Sequence, residues 1–409
     1  MPSPEERTQP TVSVIIPTYN RVGYLREALD SVLAQTVTPA DILVVDDGST
    51  DGTAEAVAAY GPPVRYLRHS QNQGVAAARN TGLQAARGDV IAWLDSDDLW
   101  EPTFLARTMS CLAKDGSLDG VYTGLTTIAG DGTVLSHTLR VEPPTALHDA
   151  LVRDSFLATA SLVVYQRCYD AVGGFDPALY ICEDYDMWLR LAQRFCMAGI
   201  PEPLVRIRVH GSNTMADVKA LSAARMAVAE KHARALQASP DDLVFRRARG
   251  YALRAIALRH LEAGMAQEGW RLFEQAVELH PAMLERLDTC YELACADQPR
   301  GRRGDVTSLD LDAAGEVLVR QLGDVLDRAS PSVAAWRSVA LANAHLALAM
   351  LWDQAGHWAP ARRHLWRALW HYPRLVLERG VVRRMVKLHA GPKLSRVFRP
   401  APVRNGDLP

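Results

Sequence analysis

Two short acidic runs follow strand-like segments of the chain. Asp46 and Asp47 end one β-branched run, and Asp95, Asp97 and Asp98 end another. Because ligands of parallel sheets bind at the carboxyl ends of the strands, we expect both runs to meet at one edge of a sheet. Convergent carboxylates repel each other unless a cation or hydrogen-bond donors neutralise them, and Mg²⁺ or Mn²⁺ carrying a substrate diphosphate would do so. The alternative is that each run forms Asx turns and helix caps.

Arg79 is the basic residue best placed to meet these acids. It lies in the segment NQGVAAARNTG, whose small residues predict a helix packed closely on the sheet. A guanidinium there could bind the carboxylates or a phosphate, and a surface ion pair is the alternative. No GxGxxG follows a strand and no GxxxxGK[ST] occurs, so the sequence lacks the phosphate loops of Rossmann dinucleotide-binding domains and P-loop proteins.

A third group of polar residues follows later in the chain. Glu183 and Asp184 begin a helix with an apolar face, so Asp184 is a candidate general base for an attacking hydroxyl. A carboxylate at this position is also favoured by the helix dipole alone. His210 stands in the loop HGSN, where it could contact a metal or a phosphate, or simply be solvated.

The elements around these residues alternate between strand and helix patterns. The order βαβαβαβ predicts a parallel sheet with right-handed crossovers, and hence an α/β domain. The predicted strands are Val12–Pro17, Ile42–Val45, Val64–Leu67 and Val90–Leu94, and the predicted helices are Val22–Leu33, Thr53–Ala59 and Val75–Ala86.

Composition and charge restrict the class of protein. The 409 residues include 48% apolar side chains, 45 basic and 47 acidic residues, which excludes fibrous and intrinsically disordered proteins and predicts two or three domains. No apolar run reaches the roughly 20 residues of a membrane span. The N-terminus lacks the pattern of a signal peptide, so we expect a cytoplasmic chain. The net charge of −2 hides an asymmetry, because residues 357–409 contain twelve Arg or Lys and two acids.

The second half of the chain is rich in Ala, Arg and Leu and reads as helical from about Val218. Ala252 to Pro281 and Ala344 to Pro373 share a pattern of small residues, glycine and a final proline, which is typical of tetratricopeptide-like helix pairs or of a generic bundle. We predict a disordered N-terminus over 1–10, an α/β domain over 11–216, an all-α domain over 217–390 and a basic, Pro-containing tail over 391–409.

Seven motifs together resemble the inverting glycosyltransferases of family 2, which have the GT-A fold, a Rossmann-like and mostly parallel sheet. The resemblance extends over Val12–Asn213, half of the chain, with the motifs in the family's order. They are PTYNR, VVDDGSTDGT, NQGVAAARNTG, WLDSDDLW, GGFD, EDYDMWLR and HGSN.

The resemblance implies a nucleotide-diphospho-sugar donor site. In such a site the base and ribose would be bordered by Pro17, Thr18 and Tyr19. The base, usually uracil, would be hydrogen-bonded by Asp47 with Asp46 beside it. The rest of the donor, with its divalent ion, would be held by Arg79, Asp95, Asp97 and Asp98, with Asp97 as the ligand of Mn²⁺ or Mg²⁺ and Asp95 near the ribose.

The resemblance also implies the reaction. Asp184 would deprotonate the acceptor hydroxyl for in-line attack on the anomeric carbon, which inverts its configuration, and His210 would join the metal site. We therefore predict transfer from a UDP-sugar to a glycan, a glycolipid or another acceptor in cell-envelope polysaccharide synthesis. The alternatives are a non-catalytic nucleotide-sugar-binding scaffold and a nucleotidyltransferase.

The helical half lies outside the family pattern. Its helix pairs could dock a partner protein, and its basic end could rest on the anionic inner face of a membrane, or be a solvated tail. We predict no nucleic-acid partner, because no recognised nucleic-acid-binding fold supports the basic patch.

Overall fold

The computed structural model describes residues 10–210, 217–298 and 304–377, together with 380–382, 384–385 and 388. The chain divides into two compact units, residues 1–248 and residues 249–409. Secondary structure changes from mixed to helical at Val218, next to the domain boundary predicted at residue 217, although the first unit continues to Ala248. Residues 1–9 of the predicted disordered N-terminus and the whole of the predicted tail lie outside the described residues.

The described part of the first unit contains nine strands. They are β1 (Val12–Thr18), β2 (Asp41–Asp46), β3 (Val64–Arg68), β4 (Val90–Trp93), β5 (Leu99–Trp100), β6 (Gly120–Ala129), β7 (Val134–Thr138), β8 (Leu162–Tyr165) and β9 (Met197–Val209).

Eight helices of this unit connect or flank the strands, and a ninth begins in it. They are α1 (Val22–Leu33), α2 (Thr53–Ala58), α3 (Val75–Ala85), α4 (Phe104–Lys114), α5 (Pro144–Arg153), α6 (Gln166–Val172), α7 (Glu183–Arg194), α8 (Val218–Ala235) and α9 (Leu243–Glu262).

All nine strands form one sheet. Its order is β3-β2-β1-β4-β8-β6-β9-β5, with β7 paired to β6. The first four strands along the chain are mutually parallel, as predicted. The later strands β5, β7 and β8 pair antiparallel with their neighbours, and the long β9 runs parallel to β6. The predicted α/β domain is therefore confirmed, with a mixed second half.

The sheet is buried on both faces, which explains the continuous apolar runs of its central strands. Every residue of β1 and β2 is buried. Alternate residues face opposite cores: Val14 and Ile16 pack with α1 and α4, whereas Ile15 packs with α3, α5, α6 and α7. This two-sided core fixes the carboxyl ends of β1, β2 and β4 side by side, where the acidic runs begin.

The second unit is helical throughout its described part, as predicted. After the end of α9 come α10 (Ala266–Leu279), α11 (Leu287–Ala294), α12 (Leu311–Arg328), α13 (Pro331–Ala334), α14 (Arg337–Gln354) and α15 (Trp358–His371). Helix α14 packs against α11, α12 and α15 and buries residues around its whole circumference, which accounts for its lack of a single apolar stripe. Among the described residues, no helix has the length and apolar character needed to cross a membrane.

The two segments with a shared sequence pattern have the same structure. Helices α10 and α15 begin 92 residues apart and have equal length, and each is followed by a 3₁₀ turn, Pro281–Glu285 or Pro373–Leu377. Each is preceded by a left-handed glycine, Gly264 or Gly356. Because α11, α12 and α13 intervene, these two helix pairs do not follow one another at the 34-residue period of tetratricopeptide repeats.

Candidate active site

The side chains of the acidic run after β2 are buried in the protein interior. Asp46 is fully buried; its Oδ1 accepts the Ser49 N–H at 2.8 Å, and its Oδ2 accepts the Tyr66 hydroxyl and lies 3.6 Å from Arg68. Burial and the hydrogen bond to Asp46 raise the pKa of Tyr66. Gly48 follows at φ 85°, and a Cβ there would lie 2.9 Å from the backbone of a neighbouring loop, so this turn requires glycine.

Asp47 holds the turn that opens α3. Its Oδ1 contacts His69 Nδ1 at 2.7 Å and accepts the Gln73 N–H at 2.9 Å, while its Oδ2 accepts the Gly74 N–H at 2.8 Å. Asp47 is 3% exposed. Both of its oxygens are therefore engaged by protein donors, as in the helix-cap and turn alternative for this run.

Pro17, Thr18 and Tyr19 lie at the carboxyl end of β1, beside the end of β2. Pro17 and Thr18 are buried, whereas Tyr19 is 44% exposed. The hydroxyl Oγ1 of Thr18 is buried and has no hydrogen-bond partner within the described part of the chain. The next residue, Asn20, adopts a left-handed φ of 51° and its side chain accepts the Thr50 N–H at 2.8 Å, which ties the two loops together.

Arg79 links the acidic run after β4 to the start of α7. Its guanidinium is almost completely buried, donates to Asp95 Oδ1 at 2.8 Å and to Glu183 Oε1, and lies 5.4 Å from the centre of the Phe175 ring. Burial lowers the pKa of Arg79, but Asp95, Glu183 and Asp184 outweigh burial, and the pKa is raised. Arg79 therefore forms ion pairs, as in the alternative considered from the sequence, but they are buried within the acidic cluster and not on the surface.

Asp97 has a different set of cationic partners. Its Oδ2 accepts from Arg21 Nη1 at 2.5 Å and contacts His210 Nε2 at 3.0 Å. The His210 ring stacks on Tyr24, with 5.1 Å between the ring centres. The structure therefore brings Asp97 and His210 together and adds Arg21 from the loop between β1 and α1.

Asp98 faces inward and fixes β9 to this loop. Its Oδ1 accepts the Arg208 N–H at 2.9 Å, and the Arg208 side chain donates to the Asp97 carbonyl at 2.9 Å and to Glu27 at 2.7 Å. Burial, then Asp97 and Asp95, raise the pKa of Asp98 well above its usual range. Asp98 thus connects the acidic run to β9 through Arg208.

Asp184, like Asp95, is a half-buried carboxylate of the cluster. Its Oδ2 accepts the Thr159 hydroxyl at 3.3 Å and its Oδ1 accepts the Tyr185 N–H at 2.7 Å. Among the described residues, no cationic side chain forms an ion pair with it. Its neighbour Glu183 is 6% exposed and pairs with Arg79; burial, opposed by Arg79 and reinforced by Asp184, raises the pKa of Glu183.

The backbone at the start of α7 aims these two acids. Cys182, the residue before Glu183, has a left-handed φ of 66°, a conformation that costs energy for a residue other than glycine. Strain of this kind is common at functional sites.

The motif GGFD is tied to α3 by reciprocal hydrogen bonds between Asn80 and the Phe175 backbone, at 2.7 and 2.8 Å.

The structure therefore gathers one subset of the predicted site residues into direct contact. Arg79 joins Asp95, and Asp97 joins His210, with Asp98 and Asp184 beside them. The sequence analysis missed Arg21 and Thr159 and assigned no role to Glu183. Arg21 and Glu183 lie inside the motifs PTYNR and EDYDMWLR, so their motifs carried a signal; Thr159 lies outside all seven motifs.

Donor atoms for a divalent ion are present but few. Within the described part of the chain, no group of three or more His, Cys, Asp or Glu side chains is arranged to hold a metal. Asp97 and His210 supply a carboxylate oxygen and an imidazole nitrogen that already meet at 3.0 Å. Two protein donors fit Mn²⁺ or Mg²⁺ when the remaining ligands are phosphate oxygens and water.

Comparison with known proteins agrees with the motif pattern. Residues 13–159 match the family model described as glycosyl transferase family 2. An uncharacterized glycosyltransferase of Rickettsia typhi is 32% identical over 214 residues, which are 50% of this chain and 66% of that relative. Residues 13–159 thus form a glycosyl transferase family 2 domain.

The chain is also similar to a longer protein and to a solved structure. The chondroitin synthase of Escherichia coli is 31% identical over 210 residues, which are 50% of this chain and 30% of that protein. Residues 1–349 of TarS from S. aureus, solved in complex with UDP-GlcNAc, share 18% identity over 87% of this chain and 90% of that chain, with a TM-score of 0.45. The chain thus spans less than two thirds of the curated relatives it matches.

Proposed function

We propose that the family 2 domain transfers a sugar from a nucleotide-diphospho-sugar to an acceptor hydroxyl, with Asp184 as the general base. One observation carries the proposal: at the carboxyl edge of the sheet, Asp95 and Asp97 are held by cationic side chains, whereas Asp184 accepts only hydrogen bonds. Cationic side chains that could meet a diphosphate therefore occur in one cluster with a carboxylate that has no ion-pair partner among the described residues.

Asp184 removes the proton of the acceptor hydroxyl as its oxygen attacks the anomeric carbon. The Thr159 hydroxyl and the Tyr185 N–H orient the carboxylate, and its partial exposure gives an acceptor access. Glu183 is unsuited to this role because Arg79 engages it. Attack opposite the leaving diphosphate inverts the anomeric configuration.

The leaving nucleoside diphosphate gains negative charge, and the chain offers cations to stabilise it. Arg21 and Arg79 each hold a carboxylate that they can exchange for a phosphate oxygen. Asp97 and His210 would hold Mn²⁺ or Mg²⁺. Such an ion would neutralise charge on the diphosphate when bound.

The nucleotide base would lie against the ends of β1 and β2. Thr18 supports this placement, because its buried hydroxyl lacks a hydrogen-bond partner among the described residues and Tyr19 beside it is exposed. Asp47 already has three protein contacts, two at Oδ1 and one at Oδ2, so about one acceptor position of its carboxylate, at Oδ2, is left for a base. We propose a UDP-sugar as donor and, from the similarity to a chondroitin synthase, a glycan or lipid-linked acceptor.

The first experiment is a thermal-shift panel of UDP-, GDP- and dTDP-sugars with and without Mn²⁺, followed by product analysis. A donor that binds the folded state raises its melting temperature by mass action. We expect one nucleotide class to do so, and expect release of a nucleoside diphosphate when acceptor glycans are added. Release of pyrophosphate would instead identify a nucleotidyltransferase.

The decisive variant is Asp184→Asn. We expect it to retain the donor-induced thermal shift and to lose about 10³-fold in transfer rate, because only the proton acceptor is removed. The matched control is Asp170→Asn, an exposed carboxylate on α6, which should leave the rate unchanged. Full activity of Asp184→Asn would remove the proposed base, and donor binding without transfer in the wild type would favour the scaffold alternative.

A further inference from the structure

Helix α15 of the helical unit exposes two tryptophans on one face. Trp366 is 55% exposed and Trp370 is 78% exposed, and they lie four residues apart, so they are neighbours on the helix surface. The opposite face packs into the unit through Ala361, Leu365 and Ala368. Packing of α15 in its own unit therefore leaves both indoles accessible.

Arginines surround these indoles. Arg362, Arg363 and Arg367 are exposed and lie on the same side of the helix as Trp366 and Trp370; these five residues are the α15 face. Helix α15 contains no acidic residue. No carboxylate of the described residues forms an ion pair with any of the three arginines, so the face carries uncompensated positive charge.

Apolar side chains continue the surface beyond α15. In the 3₁₀ turn Pro373–Leu377, Val376 is 46% exposed and Leu377 is 80% exposed, next to the exposed Arg374. The sequence from residue 357 onward carries twelve basic residues against two acids. Aromatic, aliphatic and cationic groups therefore occur together at the chain's C-terminal end.

We propose that the α15 face binds the surface of a membrane that contains anionic phospholipids. Tryptophan is enriched at membrane–water interfaces, where its ring lies at headgroup level, and arginine attracts lipid phosphates. Trp366, Trp370 and Leu377 enter the boundary between headgroups and acyl chains, while the arginines contact the phosphates.

Single-stranded nucleic acid is the other polyanion that would suit tryptophan and arginine, through stacking on bases. The exposed aliphatic side chains Val376 and Leu377 favour lipid, because they match acyl chains and have no role in base stacking. The two partners give different results in the experiment.

The experiment measures binding of the full chain to vesicles of phosphatidylcholine alone and of phosphatidylcholine mixed with phosphatidylglycerol. Co-sedimentation reports the partition coefficient, and quenching of tryptophan fluorescence by brominated acyl chains reports an indole in contact with hydrocarbon. We expect binding to the anionic vesicles only, with quenching, and weakening as salt is added.

The test variant is Trp366→Ser with Trp370→Ser. We expect it to lose about tenfold or more in partition into anionic vesicles and to lose the quenching, because the interfacial side chains are gone. The matched control is Leu243→Ser with Val244→Ser, which removes two exposed apolar side chains of α9 and should bind as the wild type does. Both variants change exposed positions, and circular dichroism checks that each is folded.

A second variant, Arg362→Gln with Arg367→Gln, tests the charge. It should weaken binding to anionic vesicles while leaving the quenching of the bound fraction intact. Unchanged binding of the tryptophan variant would overturn the proposal and assign the membrane contact to other basic residues. Failure of the wild type to bind any vesicle would overturn it as well, as would binding of single-stranded oligonucleotides through these tryptophans in preference to lipid.

Discussion

The acidic runs Asp46–Asp47 and Asp95–Asp98 look equivalent in the sequence, yet their partners in the structure differ in kind. The first run is held largely by backbone N–H groups, a histidine and the hydroxyl of Tyr66 on β3, with Arg68 more distant at 3.6 Å from Asp46. In the second run, Asp95 and Asp97 are held by cationic side chains and a histidine. A backbone donor is fixed in place, whereas a cationic side chain can move to a phosphate. The first run therefore builds the loops, and the second is free to take part in chemistry.

Within the two acidic runs, replacing Asp97 should give the largest effect on activity. We expect Asp97→Asn to lose about 10³-fold in kcat/KM, or about 4 kcal/mol of transition-state stabilisation, because a full charge that organises the diphosphate site is gone. The melting temperature should change little, since an amide oxygen still accepts from Arg21. Steady-state kinetics and a thermal melt test both parts, and wild-type kcat/KM would show that the second run is structural too.

Replacing Asp47 should show the opposite pattern. Asp47→Ala leaves the Gln73 N–H and the His69 ring without this acceptor, and leaves the Gly74 N–H with only Asn72 Oδ1 at 3.0 Å. We expect a loss of about 1–3 kcal/mol in the free energy of unfolding, because three hydrogen bonds to a charged acceptor are removed. Urea denaturation measures it, and Asp131→Asn, at an exposed hairpin carboxylate, is the control. A stability equal to that of the wild type would erase the distinction between the two runs.

Arg21 tests whether a cationic partner of the second run can move to a phosphate. If it exchanges Asp97 for a phosphate oxygen, Arg21→Gln should weaken binding of the nucleoside diphosphate about tenfold, or 1–2 kcal/mol, with Arg21→Lys in between. Calorimetric titration of the diphosphate product gives the affinities directly. Equal affinity in the glutamine variant would mean that Arg21 serves only to neutralise Asp97.

The sequence predicted the frame of the site better than its contacts. Buried β-branched runs and their order along the chain were enough to place Asp46, Asp95 and Asp97 at one edge of the sheet, because the carboxyl ends of parallel strands coincide. The antiparallel pairs of β5, β7 and β8 were not predicted, since short strands of this kind carry no periodic signal that fixes their partners.

The hydrogen-bond and ion-pair partners of each carboxylate could not be predicted from the sequence. Whether a carboxylate meets a backbone N–H, as Asp47 does, or a guanidinium, as Asp97 does, depends on loops more than 20 residues away in the chain. The same holds for Thr159, which reaches Asp184 from outside every motif. Such contacts are set by tertiary packing, and local spacing does not encode them.

The helical unit shows a third arrangement of polar side chains, in which histidines on two packed helices contact each other. His345 on α14 contacts His364 on α15, with 3.1 Å between their Nδ1 atoms, and its ring stacks on His371. Burial first, and then His364, His371 and Arg367, lower the pKa of His345 to about 3. Burial, and then two neighbouring arginines, lower the pKa of His364 to about 4 against a smaller opposing effect of Asp312. The folded state thus favours the neutral rings.

These shifts predict acid sensitivity with a defined sign. Because the unfolded pKa of histidine is near 6.5, the stabilisation is present above that pH and is lost as the pH falls towards 4. Between pH 7 and pH 5 we expect the free energy of unfolding to fall by about 1–2 kcal/mol for His364, and to fall less in His364→Leu. Urea denaturation at both pH values measures the difference, with the exposed His137→Leu as control. If the free energy of unfolding falls equally in His364→Leu and in the wild type, protonation of His364 does not contribute to the pH dependence of stability.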